Sequence, residues 1–231
     1  MINKALTVTR ANDLVQSSYF LTLNERRLIE CATAKIQNGE VIPAEIKITA
    51  AEFAGAWDLP ASQSFRELDM AAKNLYERSI KINRLDNGEK WDVRWLDAKA
   101  NYKHGEGYVI LSFSNRIKPY LQQLNKNFTR YKLLEIRHLR SAYSIRLYEL
   151  IMQYRATGFR TNTLEELKDY FGVSEKYEKW ADFYRYVLSK SIKELNKATA
   201  YEVTMEIERR GRNVHRVKLF FSLKNQLNLD L

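Results

Sequence analysis

The 231-residue chain contains a single cysteine, Cys31. A disulfide within the chain and a zinc site of paired cysteines are therefore excluded. Its three histidines, His104, His138 and His215, are scattered, with no H-x-H or H-E-x-x-H pair to hold a metal. That also removes the ligand set of a nicking enzyme that combines a metal-held phosphate with a tyrosine nucleophile, despite fourteen tyrosines. No G-x-x-x-x-G-K-[ST] loop occurs, and no helix follows the glycines of His104-Gly105-Glu106-Gly107, so a phosphate cradle is missing. Acidic pairs such as Glu165-Glu166 sit at an expected helix start, where they suit the helix dipole. No apolar run approaches the roughly 18 residues that span a bilayer, and the N-terminus lacks the apolar core of a secretory signal. These absences point to a protein that is not an enzyme, with no metal, cofactor or membrane partner, in a reducing cytoplasm.

What the chain does have is basic charge, unevenly placed. With 45% hydrophobic and 29% charged residues, a soluble globular fold is expected. The net charge is +10. Residues 1–125 hold 17 basic and 15 acidic side chains, whereas residues 126–231 hold 21 and 13. An excess confined to one half suggests nucleic acid or another anionic surface, against the plainer reading of general solubility. The densest cluster lies in Ile207–Phe221, where Arg209, Arg210, Arg212, Arg216 and Lys218 surround Gly211.

The order of elements is expected to repeat. Thr22-Leu23-Asn24-Glu25 has the form of a capping box, and a helix follows to about Ile36. Further helices are expected at 49–57 and 64–80, then strands at 91–96 and 108–113 around the 104–107 loop. The second half gives helices at 139–153, 163–171 and 180–197, then strands at 202–207 and 214–221 around Gly211. Similar residues fall at similar offsets: Arg27-Leu28-x-Glu30 with Arg146-Leu147-x-Glu149, Thr49-x-x-Glu52 with Thr163-x-x-Glu166, and Ser79-Ile80-Lys81 with Ser191-Ile192-Lys193. Helix, short helix, long helix, hairpin is the plan of a winged helix. The expected fold is therefore α+β, two tandem winged-helix domains at 1–125 and 126–231, each a helix-turn-helix plus a β-hairpin wing.

In that plan the long helix enters the major groove and the wing lies against the backbone. Gly211 would permit a sharp hairpin turn, with Arg209, Arg210, Arg212 and Asn213 at its tip. The tip either meets phosphates or the minor groove, or is merely solvated. At 100° per residue, Trp180, Tyr184, Val187, Ser191 and Leu195 gather on the core side of the long helix, with Phe183 and Leu188 at its edges. Arg185, Ser189, Lys193 and Asn196 face outward, Tyr186, Lys190 and Lys197 flank them, and Lys179 precedes the helix. This face offers groups for base edges and phosphates: Arg185 for guanine, Lys190 and Lys193 for phosphates, Tyr186 for a phosphate or a thymine methyl. The equivalent first-half helix is less basic outward. Arg66, Lys73 and Arg78 are its candidate DNA contacts, although Asp69 with Lys73 at i,i+4 also fits simple helix support.

These segments together resemble iteron-binding plasmid replication initiator (Rep) proteins with two winged-helix domains. The resemblance is carried by Asn12-Asp13-Leu14-Val15, Leu23-Asn24-Glu25-Arg26, Phe128-Thr129-Arg130-Tyr131, Ser144-Ile145-Arg146-Leu147-Tyr148-Glu149-Leu150, Asp182-Phe183-Tyr184-Arg185 and Arg209-Arg210-Gly211-Arg212. It implies double-stranded DNA as the partner. Monomers would bind direct repeats, the iterons, at a plasmid origin, help open an A·T-rich segment and recruit host initiator and helicase proteins. A homodimer in equilibrium with the monomer would bind an operator inverted repeat and repress the gene. The second domain would be the main reader, and the first would dimerise and bind DNA more weakly. Arg185 falls where the recognition helix of such proteins carries arginine, and Arg209, Arg210 and Arg212 match the wing. For dimerisation, the strand at 108–113 is the expected free edge. A transcriptional repressor of the same architecture, without a replication role, is the competing reading.

Overall fold

Three threonines start three helices in the same way. Thr22, Thr49 and Thr163 each accept a hydrogen bond from the backbone N–H three residues on, and the glutamate there accepts one in return from the threonine N–H. The return bonds measure 2.9, 2.8 and 2.9 Å. These are reciprocal capping boxes, which satisfy backbone donors that a helix start leaves unpaired. They anchor a fold seen in a computed structural model that describes residues 6–36, 41–83, 89–98, 107–121 and 127–224. The chain forms two units: Met1–Ser17 with Leu21–Arg137, and Ser18–Phe20 with His138–Leu231.

The first unit opens with β1 (Thr7–Ala11), α1 (Asn12–Val15) and α2 (Leu23–Ala34). Strand β2 (Ile46–Thr49) leads into α3 (Ala50–Trp57), and α4 (Ala61–Tyr76) follows. Next come β3 (Ser79–Asn83), β4 (Lys90–Arg94), β5 (Leu96–Ala98), β6 (Tyr108–Phe113), α5 (Lys118–Leu121), β7 (Phe128–Lys132) and α6 (Leu133–Ile136). The sheet order is β2–β6–β5, with separate antiparallel pairs β3–β4 and β1–β7. Ile46 and Ile48 of β2 lie opposite Leu111 and Val109 of β6, and all four are buried.

Three expectations are corrected here. The third helix ends at Tyr76 rather than reaching Ile80, because Ser79-Ile80-Lys81-Ile82 alternates exposed and buried side chains, the period of a strand. The strand at 108–113 is no free edge: β2 and β5 pair with its two sides. The boundary drawn after Asn125 moves to Arg137–His138, since β7 pairs with β1 and Arg137 donates to the Gly55 carbonyl at 2.9 Å. Of the loop expected at 104–107, residues 104–106 lie outside the described residues, and so does Asn125.

The second unit contains α7 (Ala142–Met152), β8 (Phe159–Thr163) and α8 (Leu164–Tyr170). Then a long helix runs as α9 (Trp180–Phe183), a π-helical turn (Tyr184–Leu188) and α10 (Ser189–Ala198). The hairpin of β9 (Tyr201–Arg210) and β10 (Asn213–Leu223) completes it. The sheet order is β8–β10–β9. The match of Ser79-Ile80-Lys81 with Ser191-Ile192-Lys193 is corrected, since the first lies in strand β3 and the second in helix α10. In both units the strand before the threonine-capped helix (Thr49, Thr163) pairs with the last strand of the wing, so the repeat is one of topology. It extends to the cores. Glu30 of α2 is buried and ion-paired to Arg10 (3.0 Å) and Arg26 (2.7 Å); Glu149 of α7 is buried and paired to Arg146 (2.6 Å). A tyrosine hydroxyl donates to each carboxylate, Tyr131 at 3.1 Å and Tyr19 at 3.5 Å. Removing either carboxylate would strand buried arginines, a loss of about 3–5 kcal/mol.

Candidate nucleic-acid interface

The long helix of the second unit buries Phe183, Val187, Leu188, Ser191 and Leu195. These five fit one side of a regular wheel, but Tyr184, which falls in the middle of that side and is expected in the core, is 41% exposed. The reason is the π turn: the N–H of Ser189 bonds to the carbonyl of Tyr184, five residues back. A π turn inserts one residue into the helix and shifts its faces. Tyr184, Arg185 and Tyr186 thus all stand outside, between buried Phe183 and buried Val187.

Beside them is an open cleft of about 560 Å³, lined by Trp180, Ala181, Asp182, Tyr184, Arg185, Ser189, Lys190 and Lys193. Four of the expected contacts, Arg185, Ser189, Lys190 and Lys193, therefore share one recess. Among the described residues, Arg185, Lys190 and Lys193 form no ion pair, so their charge is available to a partner. Lys179 is exposed at the helix N-cap. Tyr186 stands outside the cleft, stacked on Tyr177 (5.9 Å between centroids, 20°), with the Lys190 ammonium 5.6 Å from its ring. Asn196 is corrected from the outward face. Its amide accepts from Val203 N–H at 2.8 Å and donates to the Val203 carbonyl at 2.9 Å, tying α10 to the base of the wing.

The wing then leaves the body. From Glu206 to Arg210 every residue of β9 is exposed, whichever face it points from. At about 3.3 Å per residue, the ten residues of β9 carry the tip roughly 30 Å along the strand. Arg210 pairs with Asn213 across the turn, leaving a two-residue loop of Gly211 and Arg212. Gly211 has φ +62° and Arg212 has no positive φ, the pattern of a type II′ turn with glycine first. Arg209 closes the tip by donating to the Arg212 carbonyl at 3.1 Å. Arg209, Arg210, Arg212 and Asn213 are all exposed. A register shift at His215 is a β-bulge, which sharpens the local twist. Arg216 lies 3.9 Å from Glu208, so part of the wing's charge is offset internally.

The first-unit candidates separate. Arg66 is exposed with no ion pair among the described residues. Lys73 is paired to Asp69 at 2.9 Å, as helix support. Arg78 is held by Glu25 through both Nε and Nη2 at 3.1 Å. Glu25 is also the carboxylate of the Thr22 capping box, so Arg78, still 37% exposed, braces a helix start.

Two glutamates of the capping boxes are held below the usual carboxylate range. For Glu166, partial burial pushes the other way but is outweighed by hydrogen bonds from Thr163 and Asn162. For Glu52, burial is likewise outweighed, by Lys35 and Thr49. Burial lifts the Cys31 thiol to about 12, which removes it from thiolate chemistry. Among the described residues no cluster of ligating side chains is arranged for a metal, and no helix is long and apolar enough to cross a membrane.

Comparison with known proteins adds the lineage. Residues 7–152 match the family model "Initiator Replication protein, WH1", and residues 163–221 match "Initiator Rep protein, WH2". The chain is 28% identical to a replication initiation protein of Escherichia coli over 97% of its own length and 72% of that relative. It is 27% identical to the PI protein of Escherichia coli, over 95% of this chain and 84% of that one. Its fold superposes on the Pi initiator protein, solved in complex with iteron DNA, with a TM-score of 0.80 and 26% identity, over 96% of this chain and 99% of the other.

Proposed function

The chain belongs to the Initiator Replication protein family, and from that premise we propose that it starts replication of a bacterial plasmid by binding iteron repeats in origin DNA. The observation that carries this reading is the cleft beside the long helix of the second unit, where Arg185, Ser189, Lys190 and Lys193 converge. The helix lies in the major groove and the wing tip follows the backbone. Arg185 reads a base edge, with guanine O6 and N7 as its bidentate partners. Lys179, Lys190, Lys193 and the tip arginines neutralise phosphates. With about 6–10 such contacts, affinity falls on the order of 10³–10⁵-fold between 50 and 200 mM salt. Exposed Arg66 adds a weaker contact from the first unit.

The chemistry is binding alone. Energy gained from the repeats is spent in distorting a neighbouring A·T-rich segment, whose flexible steps deform at least cost. Host initiator and helicase proteins are then recruited in the cytoplasm. A homodimer, in equilibrium with the monomer and formed through the first unit, binds an operator inverted repeat and represses the gene. The test is a DNA circle carrying only this gene, its flanking DNA and a selectable marker. Replication that is lost with Arg185→Ala supports the reading. A circle that never replicates, while the protein still represses its own promoter, would establish the repressor instead.

A further inference from the structure

The π turn puts a large aromatic side chain where a regular helix would bury it. Tyr184 is 41% exposed, yet its ring is not loose. It stacks on half-buried Trp180 with centroids 5.5 Å apart and planes 22° from parallel. One ring face is covered and the rest looks into the cleft shared with Arg185, Ser189, Lys190 and Lys193. Every one of those neighbours is polar, suited to phosphates or to donors and acceptors on base edges. With Trp180 and Ala181, Tyr184 supplies the apolar part of the cleft lining, and its ring is pre-ordered by its stack on Trp180. Tyr186, equally exposed at 44%, lies outside the cleft and is braced by Tyr177. The two tyrosines thus have different work.

Only one group in the major groove is apolar, the 5-methyl of thymine. We propose that Tyr184 is a specificity-determining residue that packs its ring against a thymine methyl within the bound repeat. This rests on the reading that the long helix enters the major groove. The π turn is the device that makes the contact available: with that extra residue removed, the ring would turn towards the core and Arg185 would lose its apolar neighbour.

The probe is the direct repeat that nuclease protection defines on DNA flanking the gene, with each thymine replaced singly by uracil, which deletes the methyl and nothing else. Equilibrium affinity is measured at fixed salt for the full chain and for Tyr184→Phe, Tyr184→Ala and Tyr184→Gln, each checked for a native thermal transition. One thymine is expected whose replacement weakens the native chain about fourfold, the worth of one buried methyl. Tyr184→Phe keeps that discrimination, since it keeps the ring. Tyr184→Ala binds the two duplexes equally; Tyr184→Gln, a polar side chain of good helix propensity, does the same and decides the matter should the alanine variant fail to fold. The proposal is overturned if no uracil weakens the native chain, if discrimination survives in Tyr184→Gln, or if Tyr184→Phe abolishes it, which would assign the work to the hydroxyl. Absence of any preferred repeat would overturn the DNA reading itself, whereas a preferred repeat indifferent to uracil defeats only the methyl contact.

Discussion

Three arginines show how partners decide what a cation does. Arg78 is paired to Glu25, Arg146 to Glu149, and Arg185 has no ion pair among the described residues. Arg185→Ala is expected to cost about 1–3 kcal/mol of specific binding and to relax base choice at one position; affinities for the repeat and for a set of single-base variants check both. Equal losses on specific and random duplex would reduce Arg185 to a phosphate contact. Arg210→Ala is expected to lower the slope of log affinity against log salt by about one unit and to weaken all sequences alike. An unchanged slope would remove the wing tip from the DNA. Glu166 gives a pH prediction. Its pKa is depressed in the folded chain, so its stabilising contribution is complete above the unfolded carboxylate value of about 4.3 and is lost as pH falls through the lower folded value. Glu166→Gln is expected to flatten the fall in Tm on acidification through that window. An acid profile identical to that of the native chain would contradict the capping role.

At the scale of elements, two glycines make a pair of controls. Gly172 and Gly211 both have φ +62°. A Cβ at Gly211 meets nothing within 4 Å, whereas at Gly172 it would lie 2.5 Å from the backbone carbonyl carbon of Tyr19. Gly211→Ala is expected to cost about 1 kcal/mol in left-handed strain. Gly172→Ala should cost about 3 kcal/mol or more, since backbone must move; chemical denaturation measures both. The elements also show where sequence reading succeeds. Thr22, Thr49 and Thr163 announced their helices because a capping box is local chemistry. The strands at 46–49 and 159–163 were missed, being short and half polar, and their pairing depends on β6 and β10 far along the chain. Tyr184 was misplaced because a π turn has no signature on a wheel of fixed angle. The pairing of Arg78 with Glu25 was not legible because the two lie 53 residues apart and only folding brings them together.

At the scale of the molecule, the repeated plan was legible because each half carries the same order of caps, helices and wing. The division between units was not, since β7 joins β1 across almost the whole first unit, a long-range pairing that composition does not register. The charge asymmetry does not survive the change of boundary: the first unit holds 21 basic and 16 acidic side chains and the second 17 and 12, a net of +5 each, so what sets the second unit apart is where its charge is placed, in the cleft beside the long helix and at the wing tip. The two units thus carry equal net charge differently arranged, and the second, which gathers its cations on one helix face and one wing tip, is expected to dominate affinity. Nuclease protection by the purified full chain, on the DNA flanking its own gene, tests this most directly. The account predicts several evenly spaced protected segments of one shared sequence, each needing about 5–150-fold more protein in Arg185→Ala. Protection no better than on random duplex, at any salt concentration, would contradict it.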